Sequence, residues 1–86
     1  MAHFVYILHS ATRNRFYIGA SSQPEERLKK HNHHHKGFTG GTNDWSVVYL
    51  QEFQNKADAL AREKEIKSWK SAQRIRQLTG LEHPGL

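Results

Sequence analysis

Hydrophobic and polar residues along the chain follow patterns typical of three strands and three helices. Three short runs rich in aromatic and β-branched side chains predict strands, at residues 3–9, 16–20 and 45–53. Helix-start residues introduce the other segments, so we expect helices from near Gln23, after Asn55 and after Ser71. The predicted order is therefore β-β-α-β-α-α.

Both faces of the first predicted strand are apolar, which is typical of a strand covered on both sides. Its alternating residues are Phe4, Tyr6 and Leu8 on one face and Val5 and Ile7 on the other. We therefore expect it at the centre of the sheet. The polar loop 10–15 contains Asn14 and predicts a hairpin. In the third strand, strict alternation would place on one face Val47, Tyr49, Gln51 and Phe53.

The segment after the second strand carries helix-start chemistry. Ser22 is expected to cap the helix, and Pro24 fits the first turn because it has no N–H to leave unpaired. Glu25 and Glu26 suit the positive end of the helix dipole. Gly19, just before this turn, leaves room for a close approach by a ligand or by backbone.

Basic residues follow on the same helix. Arg27 and His31 lie four residues apart and therefore share a face. A fixed cation and a titratable imidazole would then point the same way, beyond the strand that carries Tyr17. The alternative is a solvated basic face, which would also include Lys29 and Lys30.

One carboxylate interrupts the apolar stripe of the second helix. Apolar residues share the face of Glu63, namely Ala59, Leu60 and Ile66. A buried unpaired charge is unfavourable, so Glu63 needs a partner, and Arg27, Lys30 or a metal ion are candidates. Alternatively, Glu63 lies at the edge of the stripe and pairs with Lys67 on the surface.

Size and charge narrow the class of protein. Eighty-six residues allow one domain, 1–86, with a thin core and residues 80–86 as a loose tail. The net charge of +5 favours a polyanionic partner such as nucleic acid. The absence of cysteine excludes disulfides, thiolate nucleophiles and cysteine metal sites. No apolar run approaches the roughly 20 residues of a membrane span, so we expect a cytoplasmic protein without a membrane partner.

A long loop dense in glycine, polar residues and histidine is predicted between the first helix and the third strand. Long loops in compact domains are usually functional or mobile. His33, His34 and His35 carry imidazoles, which suit Zn, Cu and Ni. Three adjacent histidines in such a loop define no coordination geometry, so the preferred interpretation is adventitious binding.

These residues together resemble the GIY-YIG nuclease superfamily, in particular its small single-domain bacterial members, from about Phe4 to Leu78. Tyr6 stands where the family's first tyrosine is expected, with Phe-Val in place of the preceding Gly-Ile. The second motif, Tyr17-Ile18-Gly19, is intact. The other matching residues are Arg27 and His31 on the following helix and Glu63, the family's metal-binding glutamate.

The resemblance implies an α+β fold with a three-stranded antiparallel sheet flanked by helices. It also implies that the chain hydrolyses phosphodiester bonds of DNA with one divalent ion, Mg²⁺ or Mn²⁺, and no small-molecule cofactor. In this hypothesis Glu63 holds the ion and Arg27 binds the scissile phosphate. Tyr6 is the candidate base, His31 relays its proton, and Tyr17 orients phosphate or water.

A basic surface is expected to contact DNA phosphates. The residues predicted for it are Lys29, Lys30, Lys36, Lys64, Lys67 and Lys70, with Arg74 and Arg76. Larger family members carry a separate DNA-binding domain, which we do not expect in this chain. Two functions therefore stay open, a structure-selective endonuclease and a nucleic-acid-binding module with little or no turnover. Trp45 and Trp69 are expected in the core.

Overall fold

Six elements make up the part of the chain that the computed structural model describes, residues 2–32 and 44–80. They are β1 (His3–Ser10), β2 (Arg15–Ser21), α1 (Pro24–Asn32), β3 (Trp45–Phe53), α2 (Lys56–Ser68) and α3 (Ala72–Thr79). Their order and the antiparallel pairing of the strands confirm the predicted α+β fold. Lys36, the histidines at 33–35 and the tail at 81–86 lie outside the described residues. None of the described helices is long and apolar enough to span a bilayer.

The sheet has the strand order β2-β1-β3, so β1 is central, as its two apolar faces predict. Val5, Ile7 and Leu8 are completely buried within it. Tyr6 pairs with Gly19 on the β2 side and with Leu50 on the β3 side. Because β2 is an edge strand, Gly19 lies at the open side of the sheet.

A β-bulge changes the predicted faces of β3. Ile7 pairs with Tyr49, but the next residue, Leu8, pairs with Val47, so Val48 is an extra residue on β3. Residues paired across an antiparallel sheet share a face. Val47 therefore lies on the face of Leu8, and the expected alternation that grouped it with Tyr49 was wrong. The bulge depends on pairing with β1, which the β3 sequence alone does not reveal.

Two small cores cover the two faces of β1. On one face, Val5 and Ile7 pack with residues of α2 and α3, namely Ala59, Ile66 and Ile75. On the other face, Tyr6 and Leu8 pack with Trp45, and Tyr17 and Leu28 of α1 pack against them. The helices thus lie on opposite faces of the sheet. Both tryptophans pack against these cores, as expected.

The ends of α2 and α3 follow local sequence signals. The side chain of Asn55 accepts a hydrogen bond from the Asp58 N–H at 2.9 Å. Ser71 caps α3 in the same way, accepting from Arg74 N–H at 3.2 Å. Gly80 ends α3 in the left-handed conformation with φ 77°. All three caps confirm the predictions.

The start of α1 differs from the prediction. The helix begins at Pro24, and the Gln23 carbonyl accepts from the Arg27 N–H at 3.1 Å. It is the hydroxyl of Ser21, not that of Ser22, that accepts from the Gln23 N–H, at 2.9 Å. Ser22 was therefore the wrong cap, because an extra turn residue separates it from the first helical position.

Side-chain contacts that the sequence did not reveal fix the ends of the strands. Asn32 accepts from the Trp45 N–H at 2.8 Å and donates to the Trp45 carbonyl at 2.9 Å. Asp44 accepts from the buried hydroxyl of Ser10 at 2.5 Å and from the Thr12 N–H at 2.8 Å.

The hairpin turn between β1 and β2 is shorter than expected. It contains residues 11–14, with Asn14 left-handed at φ 52°.

Arg62 ties α2 to the sheet next to the predicted metal ligand. Its Nε donates to Gln51 of β3 at 3.2 Å, and its Nη1 lies 2.9 Å from Glu65. The guanidinium also lies over the ring of Trp69, 5.7 Å from its centroid. These contacts fix the rotation of α2 and therefore the direction in which Glu63 can point.

Candidate active site

The phenol of Tyr6 lies directly over the backbone of Gly19. A Cβ added to Gly19 would lie 2.5 Å from the Tyr6 hydroxyl oxygen and 2.6 Å from its Cζ. These two residues are cross-strand partners, so the Tyr6 side chain extends across β2 toward the open edge of the sheet. Gly19 was expected to permit a close approach, and the group that approaches it is this phenol.

Two further aromatic rings lie beside Tyr6. The Tyr17 ring is stacked on it with centroids 6.4 Å apart. His31 lies 4.3 Å from Tyr17 and 6.5 Å from Tyr6, measured between ring centroids. Three of the residues predicted for the site, from β1, β2 and α1, therefore form one cluster.

Arg27 and Glu63 act electrostatically on the same phenol. Burial raises the pKa of Tyr6 to about 12, helped by the adjacent Tyr17 and by the charge of Glu63, while Arg27 opposes the shift. Tyr6 itself is 2% exposed, so its side chain is largely shielded from water. The phenol therefore keeps its proton at neutral pH and can donate a hydrogen bond.

Arg27 is exposed near the start of α1 and borders a cavity of about 200 Å³. Within the described residues no carboxylate forms an ion pair with it. A guanidinium presents several N–H donors in a planar fork that matches phosphate. The residue is therefore placed to receive an anion.

Glu63 lies at the edge of the site with 18% of its side chain exposed. Its Oε2 lies 2.9 Å from Nζ of Lys67, the surface partner considered as the alternative. Neither Arg27 nor Lys30, the other protein partners considered, pairs with it in the described structure. This ion pair is half exposed on the lysine side, so its contribution to stability is small.

Glu63 offers a carboxylate, the type of ligand that a hard divalent cation prefers. Among the described residues, no three histidine, cysteine, aspartate or glutamate side chains come together. Mg²⁺ typically keeps several waters and takes one or two carboxylates together with phosphate oxygens. Glu63 fits that pattern, provided that a cation displaces Lys67.

The predicted phosphate-contacting residues are placed in several environments. Lys29 lies 3.6 Å from Glu26, and Lys67 pairs with Glu63. Lys30, Lys64 and Lys70 are exposed. Arg74 lies over the Trp69 ring at 4.4 Å and Arg76 over the Phe16 ring at 5.4 Å.

Two basic residues of the cavity beside Arg27 were missed by sequence reasoning. His3 begins β1 and Lys56 begins α2, and both line the cavity. No motif or helical spacing connects them, because the fold brings together the ends of elements that are distant in sequence. A hint comes only from the topology of the sheet. The edge strand β2 runs antiparallel to β1, so the end of β2 lies beside the start of β1.

Comparisons with known proteins identify relatives along nearly the whole chain. A family model described as the GIY-YIG catalytic domain matches residues 2–76. A UPF0213 protein of Staphylococcus haemolyticus is 32% identical over 78 residues, covering 88% of this chain and 93% of that protein. A UPF0213 protein of Haloquadratum walsbyi is 32% identical over 68 residues, covering 78% and 75%.

A solved structure is also similar. The solution NMR structure of the UPF0213 protein BH0048 from Bacillus halodurans matches with a TM-score of 0.57 and 28% sequence identity. The match covers 98% of this chain and 88% of that one. The sheet and helices described above are thus shared with an experimentally determined fold.

The contact between Tyr6 and Gly19 predicts the effect of Gly19→Ala. The new methyl group would collide with the phenol, so we expect a loss of about 1–3 kcal/mol in the free energy of unfolding, measured by urea denaturation. In a Tyr6→Leu background, which removes the colliding atoms, the same substitution should cost much less. Equal losses in the two backgrounds would show that the contact with Tyr6 is not the reason why alanine at position 19 is destabilising.

The environment of Tyr6 predicts its titration. One of the three tyrosines should ionise near pH 12, later than the ordinary value of 10.0, as followed by tyrosinate absorbance. The raised pKa means that stabilisation by the neutral phenol is complete below about pH 10 and is lost as pH rises toward about 12. Tyr6→Phe should remove the late component; loss of an early component instead would contradict the assignment.

Proposed function

The chain belongs to the GIY-YIG catalytic domain family, and on that premise we propose that it is a metal-dependent DNA endonuclease. Membership of this family makes it part of a nuclease superfamily. The observation that supports the finer proposal is the buried phenol of Tyr6, beside Tyr17 and His31, on which the charges of Arg27 and Glu63 both act. A cation, a carboxylate and a hydroxyl group in this part of the fold match the needs of phosphodiester hydrolysis.

Arg27 binds the scissile phosphate in this mechanism. Its guanidinium is exposed, and within the described residues no carboxylate pairs with it. The charge on the non-bridging oxygens grows as the new bond forms, and a fixed cation stabilises that charge without reorganisation. The Tyr17 hydroxyl orients the same phosphate or the attacking water.

Tyr6 first acts as a donor because its pKa, raised to about 12, keeps it protonated. To take a proton from water, Tyr6 must first lose its own proton. His31 accepts that proton in this mechanism, and its ring centroid lies 6.5 Å from that of Tyr6. Glu63 is the residue that would hold one Mg²⁺ or Mn²⁺. When bound, the ion would supply positive charge that stabilises the charge developing on phosphate oxygens.

A nucleic-acid-binding module with little turnover is the second candidate. The observation that favours it is the ion pair between Glu63 and Lys67 at 2.9 Å, which occupies the carboxylate needed for the metal. Phe4 and Val5, which replace the Gly-Ile of the family motif, favour it as well. In this alternative the basic surface binds DNA and the phenol stays protonated throughout.

Cleavage assays separate the two functions. Supercoiled, branched and single-stranded DNA are incubated with Mg²⁺, Mn²⁺ or EDTA, and nicking is read on gels. We expect metal-dependent nicking that falls at least about 100-fold in Glu63→Gln, because the carboxylate that holds the ion is lost. The matched control is Glu52→Gln, which removes an exposed carboxylate of β3 that forms no ion pair within the described residues, and it should leave nicking intact.

Equal DNA binding by the unmodified protein and Glu63→Gln, with cleavage by neither, would refute the endonuclease and support the binding module. Nicking that survives in EDTA or in Glu63→Gln would refute the metal assignment.

A further inference from the structure

A second basic feature borders the proposed active site. The cavity of about 200 Å³ lies where β1 and α2 begin, where β2 ends and where α1 begins. Its polar lining consists of His3, Ser21, Ser22, Arg27 and Lys56. Pockets for drug-sized ligands typically span about 300–1,000 Å³. This cavity therefore suits a small group such as one phosphate rather than a whole nucleotide.

The lining is positive and contains no carboxylate among the described residues. The acidic residues of the neighbouring helix turns have other surroundings. Glu25 and Glu26 border a separate groove with Phe4, and Asp58 accepts from the Asn55 amide at 3.1 Å. Glu63, one turn beyond the cavity-lining Ala59, pairs with Lys67 at 2.9 Å. Lys56 forms no ion pair in the described part of the chain. A lysine without an ion-pair partner among the described residues thus lines this cavity.

The groups present are those that bind phosphate oxygens. Lysine and arginine offer charged hydrogen-bond donors. The imidazole N–H and the two serine hydroxyls offer neutral donors. The cavity also lies at the first turns of α1 and α2, where the helix dipoles add positive potential. Cavity shape, cationic lining and dipoles all favour the same class of ligand, a phosphate.

Arg27 connects this cavity to the proposed active site, because it both lines the cavity and acts on Tyr6. We infer that the cavity binds a second phosphate of the DNA strand, a neighbour of the phosphate that is cleaved. This inference rests on the proposed function. His3 and Lys56 are then substrate-positioning residues that fix which phosphate lies beside Tyr6.

Ligands with one or two phosphates test the subsite directly. A thymidine dinucleotide with a 5′-phosphate and the same dinucleotide without it are titrated into ¹⁵N-labelled protein by NMR in EDTA, so that cleavage does not enter. The 5′-phosphate should increase affinity about tenfold. In Lys56→Gln that gain should disappear, while affinity for the unphosphorylated dinucleotide stays unchanged.

The matched control is Arg13→Gln, which removes one positive charge from the hairpin turn at the opposite end of β1. It should keep the gain from the 5′-phosphate. His3→Gln is the second variant and should reduce the gain without removing a fixed charge. On a longer single strand, Lys56→Gln should lower the slope of log affinity against log salt by about 0.7, as one lost phosphate contact predicts.

Equal gains from the 5′-phosphate in Lys56→Gln and in the unmodified protein would overturn the inference. It would also be overturned if Arg13→Gln lost as much of that affinity gain as Lys56→Gln does. The outcome is independent of catalysis. If the protein cleaves DNA but Lys56→Gln keeps the affinity gain from the 5′-phosphate, the subsite is refuted and the endonuclease stands. If Lys56→Gln loses that gain but the protein cleaves no DNA, the phosphate subsite stands and the endonuclease is refuted.

Discussion

The close approach of the Tyr6 phenol to Gly19 is the contact on which the site depends. Any side chain at position 19 would occupy the space of the phenol, 2.5 Å from its oxygen. Without one, Tyr6 can cross the edge strand and still pack against Leu8 and Trp45. Its hydroxyl then lies where Arg27, from a helix on one face, and Glu63, from a helix on the other, both act on it. An edge strand is needed for this, because a strand on that side would separate the two helices.

This arrangement has an electrostatic consequence. Burial and a nearby carboxylate both favour the neutral phenol, and the single cation does not reverse that balance. In the proposed mechanism, the protonated phenol of Tyr6 and the exposed guanidinium of Arg27 therefore bind an anion before any proton moves. The ion pair of Glu63 with Lys67 keeps the carboxylate neutralised in the meantime. In the proposed mechanism, anion binding and catalysis thus make different demands on the same few side chains.

Local signals in the sequence were sufficient for most of the fold. The caps at Asn55, Ser71 and Gly80 depend on neighbours within one helical turn, and the central position of β1 depends on its own alternation. The predictions failed where pairing between distant segments decides the outcome. The bulge at Val48 arises from pairing with β1, and an added turn residue moved the cap away from Ser22. Three of the five residues predicted for the site, Tyr6, Tyr17 and His31, form a cluster of rings. The surface partner of Glu63 and the cavity lined by His3 and Lys56 required the tertiary structure.

Paramagnetic broadening by Mn²⁺ tests most directly whether these side chains form one ion-binding site. Small amounts of Mn²⁺ are added to the ¹⁵N-labelled protein, and amide signals are followed with and without Glu63→Gln. We expect broadening to affect first the amides of Glu63 and Gly19, and Glu63→Gln to abolish it. Broadening centred on His33, His34 and His35, or unchanged in Glu63→Gln, would contradict it.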